Sequence, residues 1–247
     1  MRRFTLAGMD LAWVSANNPT AIAVGTLQGN TLTLDAVLQN LYGTESILKH
    51  LTGIDSLHGV TIDGPTIIRN FDGRRACEDE LSRVYGSRKA GCHTSNLSRY
   101  PHADSVMLGD ALAARGFAHL GNQDQRWQSE CYPHPALIEI FQLRERHFYK
   151  KGRVEQKRQG QKALAKMLMR LESSPVLRLR IPGEFRFVFE SAAITALRGK
   201  ALKHNEDALD AVICLYIAGL YQLGHKARVF GDAVSGYIFV PQGGCLP

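Results

Sequence analysis

Four aspartates stand where the predicted strands and helices of this 247-residue chain begin or end. Asp10 and Asp63 each follow a short apolar run, while Asp207 and Asp210 lie three residues apart at the start of a longer one. Carboxylate oxygens are the ligands that Mg²⁺ and Mn²⁺ prefer, and these ions keep positions open for water and phosphate. Two such ions about 4 Å apart can activate a water and stabilise the leaving oxygen of a phosphoryl displacement. The four aspartates therefore predict a divalent-metal site suited to phosphodiester chemistry.

The hydrophobic pattern supplies the elements that would position these aspartates. Runs rich in β-branched and apolar residues predict strands, and the short segment 28–30 between two of them, which contains Gly29, is typical of a hairpin. Apolar residues at helical spacing predict helices, with an interruption at Gly152 or Gly160 left open. The predicted strands cover residues 4–9, 21–27, 31–38, 59–62, 129–133 and 237–240, and the predicted helices cover residues 44–53, 143–171 and 205–220.

The order of these elements predicts an α/β fold with a mixed sheet, in which three antiparallel strands precede crossover units. The RNase H-like fold is one of the few common folds that begin in this way. We expect one domain over residues 1–247, because the chain is long enough to bury a large core. An insertion that is partly helical is expected at about residues 69–128, and a basic helical stretch at about residues 143–171.

Each aspartate also has a structural interpretation. Asp63 precedes Gly-Pro and is a typical turn former, and Asp207 falls in the first turn of its predicted helix, behind Asn205 as the N-cap, where the helix dipole favours acids. Asp210 lies in the second turn of a helix that is otherwise apolar, and Asp10 follows an apolar strand. A carboxylate in such surroundings needs a metal, a cation or a set of hydrogen bonds.

Two glutamates extend the acidic set. Glu130, in the short strand over residues 129–133, is a candidate further ligand or general base, with a surface acid as the alternative. Glu206 would take the place of Asp207 if the last helix began one residue later.

Basic residues are the second functional signal. The formal net charge is +7, and residues 144–170 hold ten Arg or Lys against two Glu. This imbalance favours a surface facing nucleic acid, while a solvated helix face is the alternative. Arg74 and Arg75 are candidates for bidentate phosphate contacts, although Arg75 can instead pair with an acid. The predicted nucleic-acid contacts are Arg74, Arg75, Lys150, Lys151 and Arg153.

Short motifs around these residues carry a resemblance to a known family. They are Gly-Met-Asp-Leu-Ala at 8–12, Thr-Ile-Asp-Gly-Pro at 61–65, Asn70 with Gly-Arg-Arg-Ala-Cys-Glu at 73–78, Glu-Cys-Tyr-Pro-His-Pro at 130–135, Tyr-Lys-Lys-Gly at 149–152 and Asp-Ala-Leu-Asp-Ala at 207–211. The chain resembles a family of predicted nucleases of RNase H-like fold that is catalogued as a domain of unknown function. The resemblance implies a metal-dependent nuclease in which Asp10, Asp63 and Asp207 with Asp210 match the acidic positions of RNase H-like enzymes.

Composition argues against several other classes. The five cysteines are odd in number and form no CxxC motif, so we expect reduced thiols, and Cys77, Cys92 and His93 lack a fourth zinc ligand at useful spacing. The N-terminal residues lack the apolar stretch of a signal peptide. The longest apolar run, 211–221, is about half of the ~20 residues that a membrane span needs. We therefore expect a cytoplasmic protein.

The leading interpretation is a nuclease that uses Mg²⁺ or Mn²⁺ on DNA or RNA. A catalytically silent nucleic-acid-binding or scaffold protein of the same fold is the alternative. An ATP-using phosphotransferase is disfavoured, because Leu-Ala-Trp follows Asp10 and no P-loop occurs. A homo-oligomer is left open.

Overall fold

A mixed β-sheet runs through the protein, and helices cover both of its faces. Within residues 2–13 and 18–246, the part of the chain that this computed structural model describes, the sheet has nine strands. The strands are β1 (Arg3–Asp10), β2 (Thr20–Gln28), β3 (Thr31–Leu41), β4 (Leu57–Asp63), β5 (Ala118–His119), β6 (Trp127–Cys131), β7 (Arg178–Arg180), β8 (Ala227–Asp232) and β9 (Gly236–Pro241).

The helices all follow the first three strands and are interspersed with the later ones. They are α1 (Thr44–Thr52), α2 (Ala76–Tyr85), α3 (Asp104–Ala113), α4 (Pro133–Ile140), α5 (Val154–Arg170), α6 (Ser191–Ala196) and α7 (Gly199–Gln222), with short 3₁₀ helices at Leu171–Ser173 and Gly183–Val188. No helix in the described part of the chain combines the length and the apolarity that crossing a bilayer needs.

The strand order is β7-β3-β2-β1-β4-β6-β9-β8, with β5 paired to β6. Strands β1, β2 and β3 are antiparallel neighbours, whereas β4 pairs in parallel with both β1 and β6. The predicted mixed sheet, with antiparallel strands first and parallel strands after them, is therefore confirmed. Central strands are covered on both faces, which explains why successive residues of β1 and β4 are buried almost without interruption.

Two apolar layers hold the helices on the sheet. On one face, α4, α5 and α7 pack in the largest core cluster, around buried side chains such as Leu6 and Leu215. On the other face, α1 and α3 pack over the alternate side chains of the same strands, including Met9 and Ile62. The period-2 alternation of a strand thus sends neighbouring residues into different layers.

Helix α7 lies unusually close to β1 because position 8 is glycine. A Cβ atom at Gly8 would lie 1.8 Å from the backbone nitrogen of Leu215, so no larger residue fits there. Thr61 on β4 donates a hydrogen bond of 2.5 Å to the Cys214 carbonyl of the same helix. The centre of α7 is therefore fixed against the two strands that end in Asp10 and Asp63.

Helix α7 begins earlier than its apolar residues indicate. The sequence predicts a start at residue 205 with Asn205 as N-cap, but the helix begins at Gly199. Residues 199–201 are exposed, so the first turn carries no apolar signal. Asp207 consequently lies in the third turn, where the N-terminal dipole does not account for an acid.

The predicted helix over residues 143–171 is also shorter than expected. Helix α5 spans only Val154–Arg170, and residues 141–153, which we call the α4–α5 loop, contain no helix. Helix α4 itself was not predicted, because Pro133 suggests the end of a strand although proline is equally favoured in the first turn of a helix.

The segment predicted as an insertion belongs to the layers around the sheet. Residues 69–128 contain α2, α3, β5 and the first residues of β6. Helix α2 packs on β8 and β9, and α3 packs against β5 and β6. Strands β5 and β7 were not predicted because two or three residues are too short for a recognisable pattern, and β8 was not predicted either.

Candidate functional site

Asp10 and Asp63 lie side by side at one edge of the sheet. Each is the last residue of its strand, and the two are direct partners in the parallel register of β1 and β4. Because side chains at paired positions of neighbouring strands point to the same face, the two carboxylates are neighbours. Both side chains are partly exposed. The sequence-based expectation that they meet at the same end of adjacent strands is confirmed.

Helix α7 brings Asp210 and Asp207 to the same edge. The helix contacts Gly8 and Thr61 through residues 214 and 215. Asp210 precedes Cys214 by about one helical turn, which is a rise of about 6 Å along α7. Asp10 follows Gly8 by two residues of β1, which is also about 6 Å. Asp210 is fully buried, and Asp207 is close enough to share a hydrogen bond with Asp10.

Lys150 is the cation inside this cluster. Its Nζ lies 2.6 Å from Asp210 Oδ2, although no hydrogen bond of good angular geometry reaches that oxygen within the described residues. The Tyr149 hydroxyl donates a hydrogen bond of 2.6 Å to Asp210 Oδ1. Burial opposes the charge of Lys150, but Asp210, Tyr149, Asp10 and Asp63 together raise its pKa well above the ordinary value. The ammonium therefore stays charged.

This placement corrects the role predicted for Lys150. The sequence suggests a surface residue that contacts nucleic acid, but the ammonium points inward to the aspartates and only 27% of its side chain is exposed. The prediction assumed a helix over this segment, on which a lysine would project to solvent. In the α4–α5 loop, the chain instead turns Lys150 toward the sheet edge.

A second lysine neutralises the outer acids on α7. Lys203 forms an ion pair with Asp207 and lies 2.9 Å from Glu206 Oε1. The two acids follow Lys203 by three and four residues, the spacing of neighbours on a helix surface. Asp207 and Glu206 thus share a lysine of their own, separate from the lysine that meets Asp210.

The inner aspartates, Asp10, Asp63 and Asp210, resist simultaneous ionisation. Burial raises the pKa of Asp10 to about 6, with Lys150 opposing and Asp207 adding to the rise. Burial also raises the pKa of Asp63 well above its ordinary value, and the neighbouring charges of Asp10 and Asp210 raise it further. The pKa of Asp210 is raised by burial and lowered by Lys150. One ammonium does not compensate three ionised carboxylates, so the cluster favours a state in which at least one of them keeps its proton.

The donor chemistry fits a hard divalent cation, but a cation site is not fully assembled. Within residues 2–13 and 18–246, no group of three or more His, Cys, Asp or Glu side chains is arranged to hold a metal ion. Carboxylates are nevertheless suitable ligands, and Asp210 Oδ2 lacks an aligned hydrogen bond in the described structure. A cation would have to draw the inner aspartates together beside Lys150.

Glu130 does not join the aspartates. Arg75 donates to both of its oxygens, at 2.6 Å and 2.9 Å, and the backbone nitrogen of Thr66 donates to Oε2 at 3.0 Å. Arg75 also donates to Glu78 at 2.8 Å and to the Ile67 carbonyl at 3.0 Å. This geometry does not support a ligand or base role for Glu130, because both of its oxygens are engaged.

The same network corrects the prediction for Arg75. Its side chain is 2% exposed and its guanidinium donates to three partners, which leaves no face for a phosphate. The alternative interpretation, pairing with an acid, describes what the structure contains. Glu78 at the third position after Arg75 was a local signal for this pair, whereas Glu130 comes from a distant strand.

The remaining predicted contacts lie on the surface. Arg74 is exposed and lies 3.7 Å from Asp79, a loose pair. Lys151 and Arg153 are exposed at the end of the α4–α5 loop, before α5 begins. These three residues remain candidates for phosphate contacts, since exposed cations are free to bind a polyanion.

A cleft of about 240 Å³ opens over Asp10 and Asp63. One wall is the α4–α5 loop, which contributes Arg146, Lys151 and the half-exposed Phe148, with the Arg146 guanidinium 4.9 Å from the centre of the Phe148 ring. The lining residues are Asp10, Leu11, Trp13, Asp63, His93, Tyr132, His134, Arg146, His147, Phe148, Tyr149, Lys150 and Lys151. The cleft thus combines an acidic floor, a basic wall and aromatic rings.

His134 is a buried lining residue with unused hydrogen-bonding capacity. It is 8% exposed, and its Nδ1 has no hydrogen-bond partner among the described residues. Burial lowers the pKa of His134 well below its ordinary value, and the cations Lys150 and Arg146 lower it further. The imidazole is therefore neutral. The positions of Arg146 and His134 in the cleft could not be read from the sequence, because the loop that forms one wall of the cleft has no periodic pattern.

Comparison with known proteins identifies the family but no characterised relative. No curated protein and no solved structure gives a significant match. The profile of one family, described as a protein of unknown function (DUF429), matches residues 8–234, a range that includes the four aspartates and the α4–α5 loop. The chain belongs to this family.

Proposed function

We propose that this protein is a metal-dependent nuclease of RNase H-like fold that hydrolyses phosphodiester bonds in nucleic acid. The observation that carries the proposal is the register of Asp10 and Asp63, which end adjacent parallel strands, with Asp210 brought beside them by α7. Carboxylates at the ends of neighbouring central strands are well placed to share a cation.

The strand order supports the RNase H-like part of the proposal. Three antiparallel strands, β1 to β3, lie beside the parallel strands β4 and β6, and the acids sit where β1 and β4 end. Ligands of open α/β sheets generally bind outside the carboxyl ends of the strands. The cleft occupies that position.

The inner aspartates, Asp10, Asp63 and Asp210, are the residues that would hold Mg²⁺ or Mn²⁺. When bound, such an ion lowers the pKa of a water and neutralises charge on a phosphate. Hydrolysis forms a bond between the water oxygen and phosphorus and breaks the bond from phosphorus to the leaving sugar oxygen, which ends protonated. Asp207 forms an ion pair with Lys203 and is close enough to share a hydrogen bond with Asp10.

The wall of the cleft supports nucleic acid as the substrate class. Arg146 and Lys151 would meet backbone phosphates, and the half-exposed ring of Phe148 offers a surface on which a base can stack. The net charge of +7 acts in the same direction, because a positive field attracts polyanions.

A nuclease panel tests the proposal. Purified protein is incubated with single- and double-stranded DNA and RNA in Mg²⁺ or Mn²⁺, beside Asp10→Asn and the surface control Asp55→Asn, whose side chain is exposed on the loop before β4. We expect cleavage by the wild type and by Asp55→Asn and at least a hundredfold loss in Asp10→Asn, as is usual when a main electrostatic contribution is removed. Equal activity in all three proteins would mean contamination and would refute the proposal.

A catalytically silent nucleic-acid-binding protein is the second candidate, and the position of Lys150 favours it. The ammonium beside Asp210 already offsets part of the acidic charge without a metal. In that case, Mn²⁺ would leave the thermal unfolding of the protein unchanged while nucleic acid still bound. A metal site selective for the folded state must instead raise the unfolding temperature.

A further inference from the structure

The basic wall of the cleft carries cations that no acid compensates. Arg146 and Lys151 take part in no ion pair within the described part of the chain, and the Arg146 side chain donates no hydrogen bond there. Its guanidinium lies over the Phe148 ring, 4.9 Å from the ring centre, and its backbone nitrogen donates to the Arg88 carbonyl at 2.9 Å. The N–H donors of this half-buried guanidinium are therefore available to an anion in the cleft.

His134 lies deeper in the same cleft and has an unused ring nitrogen. The residue is 8% exposed, and the rings of Tyr132 and Tyr149 pack against its own at centroid distances of 5.5 Å and 5.6 Å. Its Nδ1 has no partner among the residues that the structure describes. Buried polar atoms are normally satisfied, so this nitrogen points to a group that is supplied from outside. A neutral imidazole with its proton on Nδ1 donates a hydrogen bond to an oxyanion.

The size of the cleft and the residues at its mouth limit what it can hold. About 240 Å³ is less than the range of about 300–1,000 Å³ that encloses a drug-sized molecule, so the cleft has room for a phosphate and part of its sugar but not for a duplex. Phe148 is 46% exposed and offers its ring to a stacked base. A second cation, Lys89, lies 5.5 Å from the centre of the same ring. These features fit the end of a single strand.

A terminal phosphate matches the donors of the cleft better than a backbone phosphate. A phosphomonoester has three free oxygens and a charge of about −1.5 to −2 at neutral pH, and only one ester bond joins it to the strand. A backbone phosphodiester has two free oxygens, and the strand leaves it in two directions. In the cleft, donors come from His134 on α4 and from Arg146 and Lys151 in the loop. A phosphate that meets both sets has its strand leaving only through the mouth.

We propose that the cleft contains a subsite for the terminal phosphate of single-stranded nucleic acid. Arg146 and His134 are its binding residues, and Phe148 is the surface on which the last base stacks. The inference rests on the function proposed above in taking nucleic acid as the ligand, and it does not depend on a metal ion. It names the substrate of that function as a strand with a free phosphorylated end.

Binding in EDTA tests the inference without catalysis. Fluorescence anisotropy compares short single strands of one sequence, labelled within the strand, that have a 5′-phosphate, a 3′-phosphate or hydroxyl ends. A hydroxyl-ended strand that is one nucleotide longer has the same number of phosphates as the phosphorylated strands and serves as their control. Arg146→Gln removes the guanidinium, and His134→Phe keeps a ring but removes both nitrogens. Arg144→Gln is the matched control, because Arg144 is exposed on the same loop and does not line the cleft.

We expect one of the two phosphorylated strands to bind the wild type and Arg144→Gln at least about tenfold more tightly than the longer hydroxyl-ended strand. This ratio corresponds to one charge-assisted hydrogen bond. In Arg146→Gln and in His134→Phe, the ratio should fall to about two or less, because the donors that distinguish a terminal phosphate are gone.

Equal affinity of the wild type for phosphorylated and hydroxyl-ended strands would overturn the subsite and leave nucleic acid as the ligand. A preference that survives in Arg146→Gln or in His134→Phe would overturn the role of that residue. No binding of any strand would remove the nucleic-acid ligand and the proposed nuclease with it. The wild-type ratio and Arg146→Gln decide even if His134→Phe fails to fold.

Discussion

Replacing Asp210 by Asn separates the roles of this residue as an ion-pair partner and as a metal ligand. Asn has nearly the same shape, and its amide oxygen can still accept the hydroxyl proton of Tyr149, which lies 2.6 Å from Asp210 Oδ1. The Lys150 ammonium, however, loses the charge at 2.6 Å and meets an amide group that can donate but carries no charge. The change thus removes one charge from a fully buried site with little change in volume.

The magnitude follows from what remains around Lys150. Removing one partner of a buried ion pair destabilises a protein by about 3–5 kcal/mol. Here the ammonium keeps Asp10 and Asp63 as counter-charges and retains 27% side-chain exposure, and the variant also relieves the repulsion that raises the pKa of Asp63. We therefore expect the metal-free protein to lose about 1–2 kcal/mol, which lowers Tm by roughly 2–8 °C for a chain of this size.

Thermal and urea unfolding in EDTA and in Mn²⁺ measure both effects. At about one hundred times its Kd, Mn²⁺ should stabilise the wild type by about 2.7 kcal/mol, and Asp210→Asn should show none of this gain. The double variant with Lys150→Met isolates the ion pair, for which we expect a coupling of about 1 kcal/mol or more. A loss of 4 kcal/mol or more combined with an intact response to Mn²⁺ would refute the assignment of Asp210 to the metal site. An unchanged metal-free stability with no coupling would show that the pair with Lys150 does not form.

Three further predictions address the rest of the site. The pKa of Asp10 is raised to about 6 in the folded protein, so its contribution to stability is fully present below about pH 4 and is lost as the pH rises through 6. The wild type should therefore lose stability between pH 4.5 and pH 7.5, and Asp10→Asn should not lose this contribution. In urea unfolding with EDTA, the free energy of unfolding of Asp10→Asn should rise by about 1–3 kcal/mol relative to that of the wild type over this pH range. Glu130→Gln should lower the free energy of unfolding by about 1–3 kcal/mol, measured in urea, because the buried Arg75 guanidinium loses one carboxylate partner but keeps its ion pair with Glu78. Charge reversal at Lys151 and Arg153 should weaken nucleic-acid binding and reduce the slope of log K against log salt by up to about 0.9 for each lost phosphate contact, measured by fluorescence anisotropy.

Each of these predictions has a specific counter-result. A pH profile of Asp10→Asn parallel to that of the wild type would show that Asp10 ionises normally. A loss below about 1 kcal/mol in Glu130→Gln would mean that water or another acid satisfies Arg75. For the salt slope, reversal of the exposed Lys166 and Arg170 at the far end of α5 is the matched control, and equal slopes in the two double variants would assign the loop cations to an ordinary solvated face.

The position of Asp10 and Asp63 was predictable because it depends on local pattern. Each follows an apolar run, and strands joined by crossover connections are parallel neighbours whose ends meet at one edge. Asp210 was predictable for a similar reason, since an acid within an apolar helix must meet a compensating group. The identity of that group, Lys150, was not predictable, because it comes from a loop without periodicity.

The partners of Arg75 also show that contacts between distant segments could not be predicted from the sequence. Its nearest acid, Glu78, is three residues away and is visible in the sequence, but Glu130 lies on a strand more than fifty residues later. The parallel pairing of β4 with β6 places that strand next to the strand that precedes the Arg75 segment. Local spacing suggests an ion pair, whereas the burial that makes Arg75 structural depends on how distant elements pack.

The α4–α5 loop lies next to both parts of the proposed site, the aspartates that would hold a metal ion and the cations that would bind nucleic acid. Lys150 lies among the inner aspartates, while its neighbour Lys151 is exposed and Arg146 lines the same cleft. If the proposed function holds, one contiguous segment would therefore set the charge at the metal site and also contact the phosphates that reach it. Since the backbone of this loop is fixed by the buried Tyr149, a phosphate bound by the outer cations would be held at a defined distance from the aspartates. Nucleic acid held in this way by the loop would have its scissile phosphodiester bond oriented toward the aspartates, and such orientation lowers the barrier of the reaction.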